Sequence, residues 1–261
     1  MELFLMSRSI FIVCLCLSFS VTGCVPIGKA TSPVWKVKVV AVYPHDPAAY
    51  TQGLVIEKGQ MFEGTGRYGS STLREVELKT GSVLKSFPLD EKYFGEGITV
   101  LDGKIYQLTW KNNFCFVYDL KAFQYKEYFR YPYEGWGLTD NGTELILSDG
   151  SSDLRFIDSK TFKELRKIAV KDGTERIKNL NELEYVNGEI WANIWYEDRI
   201  VRVSPESGQV LGWIDLSVIY PMSQRKDRDQ VLNGIALDPD TKKLYVTGKN
   251  WPNLYEIEVV K

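Results

Sequence analysis

The stretch Phe94-Gly95-Glu96-Gly97-Ile98 contains a short element that occurs five times along the chain. Each copy has a polar or aromatic residue, then Gly or Glu, then Leu or Ile, and the other four are Gln52-Gly53-Leu54, Trp136-Gly137-Leu138, Asn181-Glu182-Leu183 and Asn233-Gly234-Ile235. Successive copies start 44, 40, 45 and 52 residues apart. A period of about 40 to 45 residues, with about four strands per unit, is typical of a β-propeller. The sequence therefore predicts an all-β fold, a five-bladed β-propeller.

The segments between these copies support the all-β prediction. They are short runs rich in Val, Ile, Tyr and Phe, separated by turn signals such as Asp102-Gly103 and Asn141-Gly142. A second recurring element, a turn after an outer strand, lies at 76–81, 118–123, 157–162 and 203–208. Strand-like runs at 35–42 and 254–260 are expected to pair within one blade and close the ring, because closure removes exposed sheet edges. We expect a single domain over residues 34–261.

The N-terminal residues have the pattern of an export signal. Arg8 precedes an apolar run over residues 9–21, which is too short to span a bilayer comfortably. The run ends in Val21-Thr22-Gly23-Cys24, which resembles a bacterial lipoprotein box with Cys24 as the lipidated residue; a plain signal peptide cut nearby is the alternative. We expect a signal peptide over 1–23 and a short tether over 24–33. The expected location is the bacterial periplasm or cell envelope, with membrane contact only through the lipid anchor.

Composition excludes several classes of function. The formal net charge of −2 on 261 residues gives no electrostatic footprint for nucleic acid. The chain has one histidine, His45, whereas zinc hydrolases and triad enzymes need well-placed imidazoles. His45 is interpreted as a loop residue without a role. Of the four cysteines only Cys115 lies beyond the export segment, so no disulfide is expected within the domain, which we expect to be monomeric.

The repeat identifies candidate site residues, because equivalent positions of the innermost strands face one channel. The first recurring element places Gln52, Glu96, Trp136, Asn181 and Asn233 there. One strand further along, the matched segments are 63–65, 109–111, 148–150, 193–195 and 247–249, which contribute Trp110, Trp195 and Lys249. A structural requirement would impose similar residues five times, so variation at matched positions indicates a site.

Each candidate also has a structural interpretation. Tryptophans in β-proteins are most often core residues, and Asn181, Glu182 and Glu184 are alternatively turn and edge residues. Glu96 lies between two glycines, so a ligand can approach it closely, and aromatic neighbours would raise its pKa toward that of a proton shuttle. The charged segment 220–229 is interpreted as a solvated loop, with a lid over the channel as the alternative.

Nine segments together resemble the plant-type glutaminyl cyclases, or glutamine cyclotransferases. They cover the whole mature chain in order and are 50–54, 63–69, 94–98, 108–111, 135–139, 148–151, 181–184, 233–236 and 247–252. The resemblance implies a five-bladed propeller that converts the N-terminal Gln of peptides to pyroglutamate and releases ammonia. Two residues depart from the family pattern: Tyr50 stands where Phe is usual, and Arg67 replaces an apolar residue. These departures bear on substrate preference more than on activity.

The resemblance also implies roles for individual residues. Glu96 corresponds to the family's general acid and base, since one carboxyl group can transfer both protons of this reaction in turn. Phe94, Trp110, Trp136 and Trp195 would form aromatic walls. Gln52 and Asn181 would hydrogen-bond the substrate, and Lys249 would stabilise the developing oxyanion. No metal or cofactor is expected to be required, while a structural calcium stays open.

Two other classes of function remain as alternatives. A calcium-dependent propeller hydrolase, such as a lactonase, would place Glu96, Asn181, Asn233 and Asp149 around the metal. A non-catalytic peptide-binding propeller would use the aromatic lining alone. Loss of activity on chelation would favour the first alternative, and binding without ammonia release would favour the second.

Overall fold

A computed structural model describes residues 32–261 of the chain, which form an all-β fold with one 3-10 turn at Met222–Gln224. The predicted signal peptide and Cys24 lie outside the described residues. The strands, in chain order, are β1 (Val34–Pro44), β2 (Thr51–Glu57), β3 (Gln60–Thr65), β4 (Thr72–Val76), β5 (Val83–Pro88), β6 (Gly95–Leu101), β7 (Lys104–Thr109), β8 (Phe114–Asp119), β9 (Gln124–Arg130), β10 (Leu138–Asp140), β11 (Glu144–Ser148), β12 (Asp153–Asp158), β13 (Glu164–Ala169), β14 (Lys171–Asp172), β15 (Glu175–Arg176), β16 (Leu180–Val186), β17 (Glu189–Ile194), β18 (Arg199–Val203), β19 (Val210–Asp215), β20 (Leu232–Leu237), β21 (Leu244–Gly248) and β22 (Asn253–Val260). None of the helical segments among these residues is long and apolar enough to cross a membrane.

The strands form sheets of consecutive antiparallel neighbours. Three sheets have four strands each, β2 to β5, β6 to β9 and β10 to β13, and β14 and β15 form a separate pair. The remaining strands form one eight-stranded sheet in the order β16-β17-β18-β19-β1-β22-β21-β20. The predicted pairing of the terminal strands is present, because β1 lies antiparallel to β22 from Lys36↔Val260 to Pro44↔Asn253. Unexpectedly, Val34 and Trp35 also pair in parallel with β19, which joins two four-stranded units into one sheet.

The first strands of the five units contact one another in a closed cycle, β2, β6, β10, β16, β20 and back to β2. Glycines in the recurring element permit this approach. A β-carbon on Gly97 would lie 2.5 Å from Leu138 N, and one on Gly53 or Gly137 would overlap backbone atoms of the next first strand. Only a residue without a side chain fits there. The recurring Gly is therefore required by backbone contact between neighbouring units.

Apolar side chains fill the space between neighbouring sheets. One cluster, for example, combines Leu108 and Val117 of the second sheet with Leu145, Leu147 and Ile157 of the third. Four further clusters occupy comparable positions. The first and second strands of the units are buried along almost their whole length, so both of their faces contribute to a core that is distributed around the cycle.

Glu182 takes the place of glycine in the fourth copy of the element and bonds neighbouring strands. Its carboxyl accepts hydrogen bonds from the backbone N–H of Ile235 at 2.9 Å and of Leu54 at 3.3 Å. It is fully buried in β16, and Asn181 and Glu184 of the same strand are buried as well. These three residues therefore lie in a strand and not in a turn: β16 is an edge strand of its sheet, and the Glu182 side chain joins it to β2 and β20.

His45 lies in a loop, as predicted, but it is buried and has two partners. Its Nδ1 donates to the carbonyl of Trp251 at 2.7 Å, and its Nε2 lies 3.0 Å from a Glu63 carboxylate oxygen. Burial alone would lower the pKa of His45, but the Glu63 carboxylate and the Trp251 carbonyl raise it above the ordinary value. The pair ties the segment after β1 to the segment before β22 and to β3.

Replacing Gly137 by Ala should destabilise the fold far more than replacing Gly142. The new β-carbon at Gly137 would overlap Asn181 O, and we expect a loss of about 3 kcal/mol in the free energy of unfolding. Gly142 has φ +87 with no atom within 4 Å, so Gly142→Ala should cost about 1 kcal/mol from backbone strain alone. Urea unfolding of both variants measures the difference, and equal losses would contradict the close-approach argument.

Glu184 makes the stability of the fold dependent on pH. Its carboxyl accepts hydrogen bonds from Leu237 N at 2.7 Å and Thr139 Oγ1 at 3.4 Å. Burial, assisted by the nearby Asp140 carboxylate, raises the pKa of Glu184 to about 8. Because the folded pKa exceeds the unfolded one, this group's contribution to stability is complete below the ordinary pKa and is lost as pH rises through about 8.

Glu184→Gln should remove the loss of folding stability that the wild type shows as pH rises. A glutamine keeps the shape and an acceptor for Leu237 N, but it does not ionise. The stability of the variant relative to the wild type should therefore increase by about 1 to 3 kcal/mol between pH 5 and pH 9. Urea unfolding across this range measures it, with the exposed Glu258→Gln as a control that should show no such trend. Parallel pH curves for the wild type and Glu184→Gln would disprove the assignment.

Candidate active site

A cavity of about 200 Å³ opens at the end of the cycle where β2, β6 and β16 begin. Its lining includes all eight residues that the sequence predicted for substrate binding and catalysis. They are Gln52, Phe94, Glu96, Trp110, Trp136, Asn181, Trp195 and Lys249, and Tyr50 is the ninth lining residue. They lie close together because of their places in the repeated units. Each is at, or just before, the start of the first strand of a unit, or directly after the end of the second strand of a unit. Their roles in a reaction remain predictions.

The Glu96 carboxyl lies in this cavity without a hydrogen-bond donor from residues 32–261. It sits where the pairing of β6 with β7 shifts register between Gly95 and Ile98, and the residue is only 4% exposed. Burial raises the pKa of Glu96 well above its usual value, the Lys249 ammonium opposes this, and the Glu134 carboxylate adds to it. These surroundings favour the protonated form of the carboxyl group more than water does.

Lys249 is the cationic counterpart of Glu96 in the cavity. It follows β21 and is 4% exposed, with its Nζ 4.9 Å from the centroid of the Tyr50 ring. Burial lowers the pKa of Lys249 to about 8, while the carboxylates of Glu96 and Asp229 counteract the decrease. The cavity therefore contains one acid and one amine whose pKa values have moved toward each other.

Aromatic rings form the walls, arranged as edge-to-face pairs. The centroids of Phe94 and Trp110 are 5.7 Å apart, and those of Trp136 and Trp195 are 5.4 Å apart. Such pairs fix ring orientation more strongly than apolar burial alone. The walls thus present ordered apolar faces to the cavity that contains the Glu96 carboxyl.

Two amides contribute polar groups. Asn233 Nδ2 donates to Thr51 O at 2.9 Å and to Gln52 Oε1 at 3.3 Å, which orients the Gln52 side chain and leaves its own NH₂ for a ligand. Asn181 is held through its backbone carbonyl, which accepts a hydrogen bond from Ser148 Oγ at 2.6 Å. Asn233 therefore supports Gln52 and is not itself part of the lining.

The segment 220–229 is more than a solvated loop. The Arg225 side chain is buried, pairs with Asp198 at 2.6 Å and lies 5.1 Å from the Trp251 ring. At the end of the segment Asp229 accepts a hydrogen bond from Tyr196 at 2.7 Å. The segment is thus attached beside the aromatic wall, since the Tyr196 ring lies 4.5 Å from that of Trp195.

Sequence reasoning missed two residues of the site. Tyr50 was noted only as a departure from the family pattern, yet it lines the cavity. Glu134 was not considered, although one of its oxygens accepts hydrogen bonds from both Trp110 and Trp136. Glu134 lies two residues before Trp136, as Phe94 lies before Glu96 and Tyr50 before Gln52, so the repeat spacing could have indicated it.

Comparison with known proteins identifies the family. A family model described as glutamine cyclotransferase matches residues 11–259. The chain belongs to the glutamine cyclotransferase family. A glutaminyl-peptide cyclotransferase of Arabidopsis thaliana is 44% identical over 229 residues, which cover 86% of this chain and 71% of that protein. The crystal structure of Myxococcus xanthus glutaminyl cyclase superposes with a TM-score of 0.82 at 34% identity, covering 88% of this chain and 98% of the other.

In this glutamine cyclotransferase, the four residues of the calcium alternative do not assemble into one ring. Glu96 and Asn181 line the cavity, but Asn233 is bonded to Thr51 and Gln52. Asp149 is paired with Arg155 at 3.0 Å. In the part of the chain that the structure describes, no three His, Cys, Asp or Glu side chains are grouped as a metal site would require.

Proposed function

We propose that the chain is a glutaminyl-peptide cyclotransferase, which converts the N-terminal Gln of peptides or proteins to pyroglutamate with release of ammonia. One observation carries the proposal beyond family membership: a single buried carboxyl group without hydrogen-bond donors, Glu96, faces a cavity with aromatic walls. Besides a proton-transferring group and a cavity that holds the substrate, the reaction needs little from the protein, because the substrate supplies its own nucleophile.

In the proposed mechanism, Glu96 transfers a proton from the substrate amine to the leaving group. The substrate's α-amine nitrogen attacks the γ-carboxamide carbon, so that an N–C bond forms and the carbonyl oxygen becomes an oxyanion. Glu96, as the carboxylate, accepts the proton that the amine loses. It then donates this proton to the carboxamide nitrogen, the C–N bond breaks, and neutral ammonia leaves. The raised pKa suits both transfers, since the same group acts as base and then as acid.

The other lining residues orient the substrate and stabilise charge. Lys249, with a pKa of about 8, is partly protonated near neutral pH and would stabilise the oxyanion. The amides of Gln52 and Asn181 would hydrogen-bond the substrate's polar groups. The four aromatic residues would hold the aliphatic part of the glutamine in its folded-back conformation and exclude the water that would otherwise hydrolyse the carboxamide.

We further propose that the chain is a five-bladed propeller. The cyclic contact of the five first strands supports this arrangement, with β16 to β19 as one blade and β20, β21, β22 and β1 as another. The short parallel pairing of β1 with β19 would then be a connection between neighbouring blades. The proposed domain spans residues 34–261.

Glu96→Gln should lower kcat for a short peptide that begins with Gln by at least roughly 10²-fold, because the variant cannot accept the amine proton. Thermal stability should be unchanged or higher, since a buried ionisable group becomes neutral. Ammonia release from the purified domain, measured with and without a chelator, is the assay. Glu258→Gln, which removes an exposed carboxylate on β22, is the matched control and should keep full activity.

The outcomes of this assay separate the three functions. Near-wild-type ammonia release by Glu96→Gln would exclude the assigned role of Glu96. Activity that disappears on chelation and returns with calcium would favour the metal-dependent hydrolase. Saturable binding of the Gln peptide by the wild type, without any ammonia, would favour a non-catalytic peptide-binding protein.

We also propose that the chain is exported and lipid-anchored at Cys24, which the lipoprotein-box pattern in 21–24 supports. Cys24→Ser should convert a membrane-associated protein into a soluble or unprocessed one. Fractionation of cells that express either form, followed by detection of the chain, measures this. Unchanged membrane association of Cys24→Ser would exclude the anchor.

A further inference from the structure

Glu134 connects two of the tryptophans that line the same cavity as the Glu96 carboxyl. It precedes β10 and is partly buried. The indole Nε1 of Trp110 donates to Glu134 Oε2 at 2.7 Å, and the indole Nε1 of Trp136 donates to the same oxygen at 3.1 Å. The two rings come from different sheets, so one carboxylate oxygen fixes their relative position.

The charge of Glu134 is not neutralised by an ion pair. No Lys, Arg or His nitrogen of residues 32–261 lies within 4 Å of its carboxylate. A second pair with the same sequence spacing shows the contrast: Glu189 Oε2 accepts from Trp191 Nε1, also at 3.1 Å, but Glu189 additionally forms two hydrogen bonds with Arg202. Trp191 belongs to the core, away from the cavity.

We propose that Glu134 is a positioning residue of the cyclisation site, which sets the distance between the Trp110 and Trp136 rings and keeps an unpaired negative charge beside Glu96. The effect on the distance between the two rings concerns geometry alone, and the effect of the charge on Glu96 rests on the proposed function. The charged groups that act on Glu96 are Lys249, beyond β21, and Glu134. The phenols of Tyr50 and Tyr131 are also close enough to interact with Glu96.

The two effects of Glu134 can be separated by two substitutions. Glu134→Gln retains an oxygen that can accept both indole hydrogen bonds, while it removes the charge. Glu134→Ala removes both. A negative charge favours the protonated form of a neighbouring carboxyl, so either substitution should lower the pKa of Glu96.

Kinetics with the Gln-starting peptide test the functional part. In both variants the acid limb of the kcat profile should move to lower pH by about half a unit to one unit. KM should stay within about twofold of the wild type in Glu134→Gln and rise on the order of 10-fold in Glu134→Ala, because only the latter releases the rings. An unmoved acid limb, or the same KM in both variants, would overturn the proposal.

Glu189→Gln is the matched control, because it alters a Glu-x-Trp pair of equal spacing that does not face the cavity. It also disturbs the Arg202 ion pair, so its stability should fall. Its pH profile and KM should nevertheless equal those of the wild type. A shift equal to that of Glu134→Gln would show that the effect is only structural and would reject the positioning role.

Spectroscopy tests the geometric part without any activity. Indole ¹H–¹⁵N signals of the seven tryptophans can be recorded on tryptophan-labelled protein and assigned with Trp110→Phe and Trp136→Phe. Hydrogen bonds to a carboxylate move such signals downfield, so both should shift upfield in Glu134→Ala. If both stay in place, the shared hydrogen bond is absent and the proposal fails. A wild type without ammonia release refutes the proposed function but leaves this spectroscopic result valid.

Discussion

Backbone contact between neighbouring first strands determines both the fold and the position of the site. Where Gly97 meets Leu138 and Gly137 meets Asn181, no side chain fits between the strands. The residue before each glycine lies where regular strand pairing is interrupted, Glu96 at the register shift between β6 and β7 and Trp136 just before β10. Both residues line the cavity. A packing constraint that recurs at Gly53, Gly97 and Gly137 thus arranges different side chains around one space.

Two buried glutamates show how the surroundings decide what a carboxyl group does. Glu63 lies against His45 and Thr51, and although it is as deeply buried these partners lower its pKa and favour the ionised carboxylate. Glu96 has no such partner, and burial raises its pKa. A carboxylate that is strongly favoured in its ionised form returns a proton to a leaving group less readily than one whose pKa is raised. The absence of a close partner therefore supports the proposed acid–base role of Glu96.

The repeat made the all-β fold and the predicted site residues accessible from sequence, because matched positions in successive units face the same space. Contacts between units were not accessible. Glu134 matches Tyr50 and Phe94 in spacing, but its hydrogen bond with Trp110 of the neighbouring unit depends on the fold. Glu182 resembled an edge residue because it replaces a glycine, and its partners Leu54 and Ile235 are distant in sequence. The pairing of Val34 with β19 depends on three-dimensional register that no local pattern encodes.

The same local pattern has different consequences in two places. In both Glu134-x-Trp136 and Glu189-x-Trp191 a carboxylate holds an indole N–H at 3.1 Å. Arg202 neutralises Glu189, so that pair contributes only to packing. Glu134 instead bonds a second tryptophan, and its charge acts on Glu96. Burial raises the pKa of Glu96, the Lys249 ammonium opposes this increase and the Glu134 carboxylate adds to it, so the two charges adjust in opposite directions a pKa that burial has already moved.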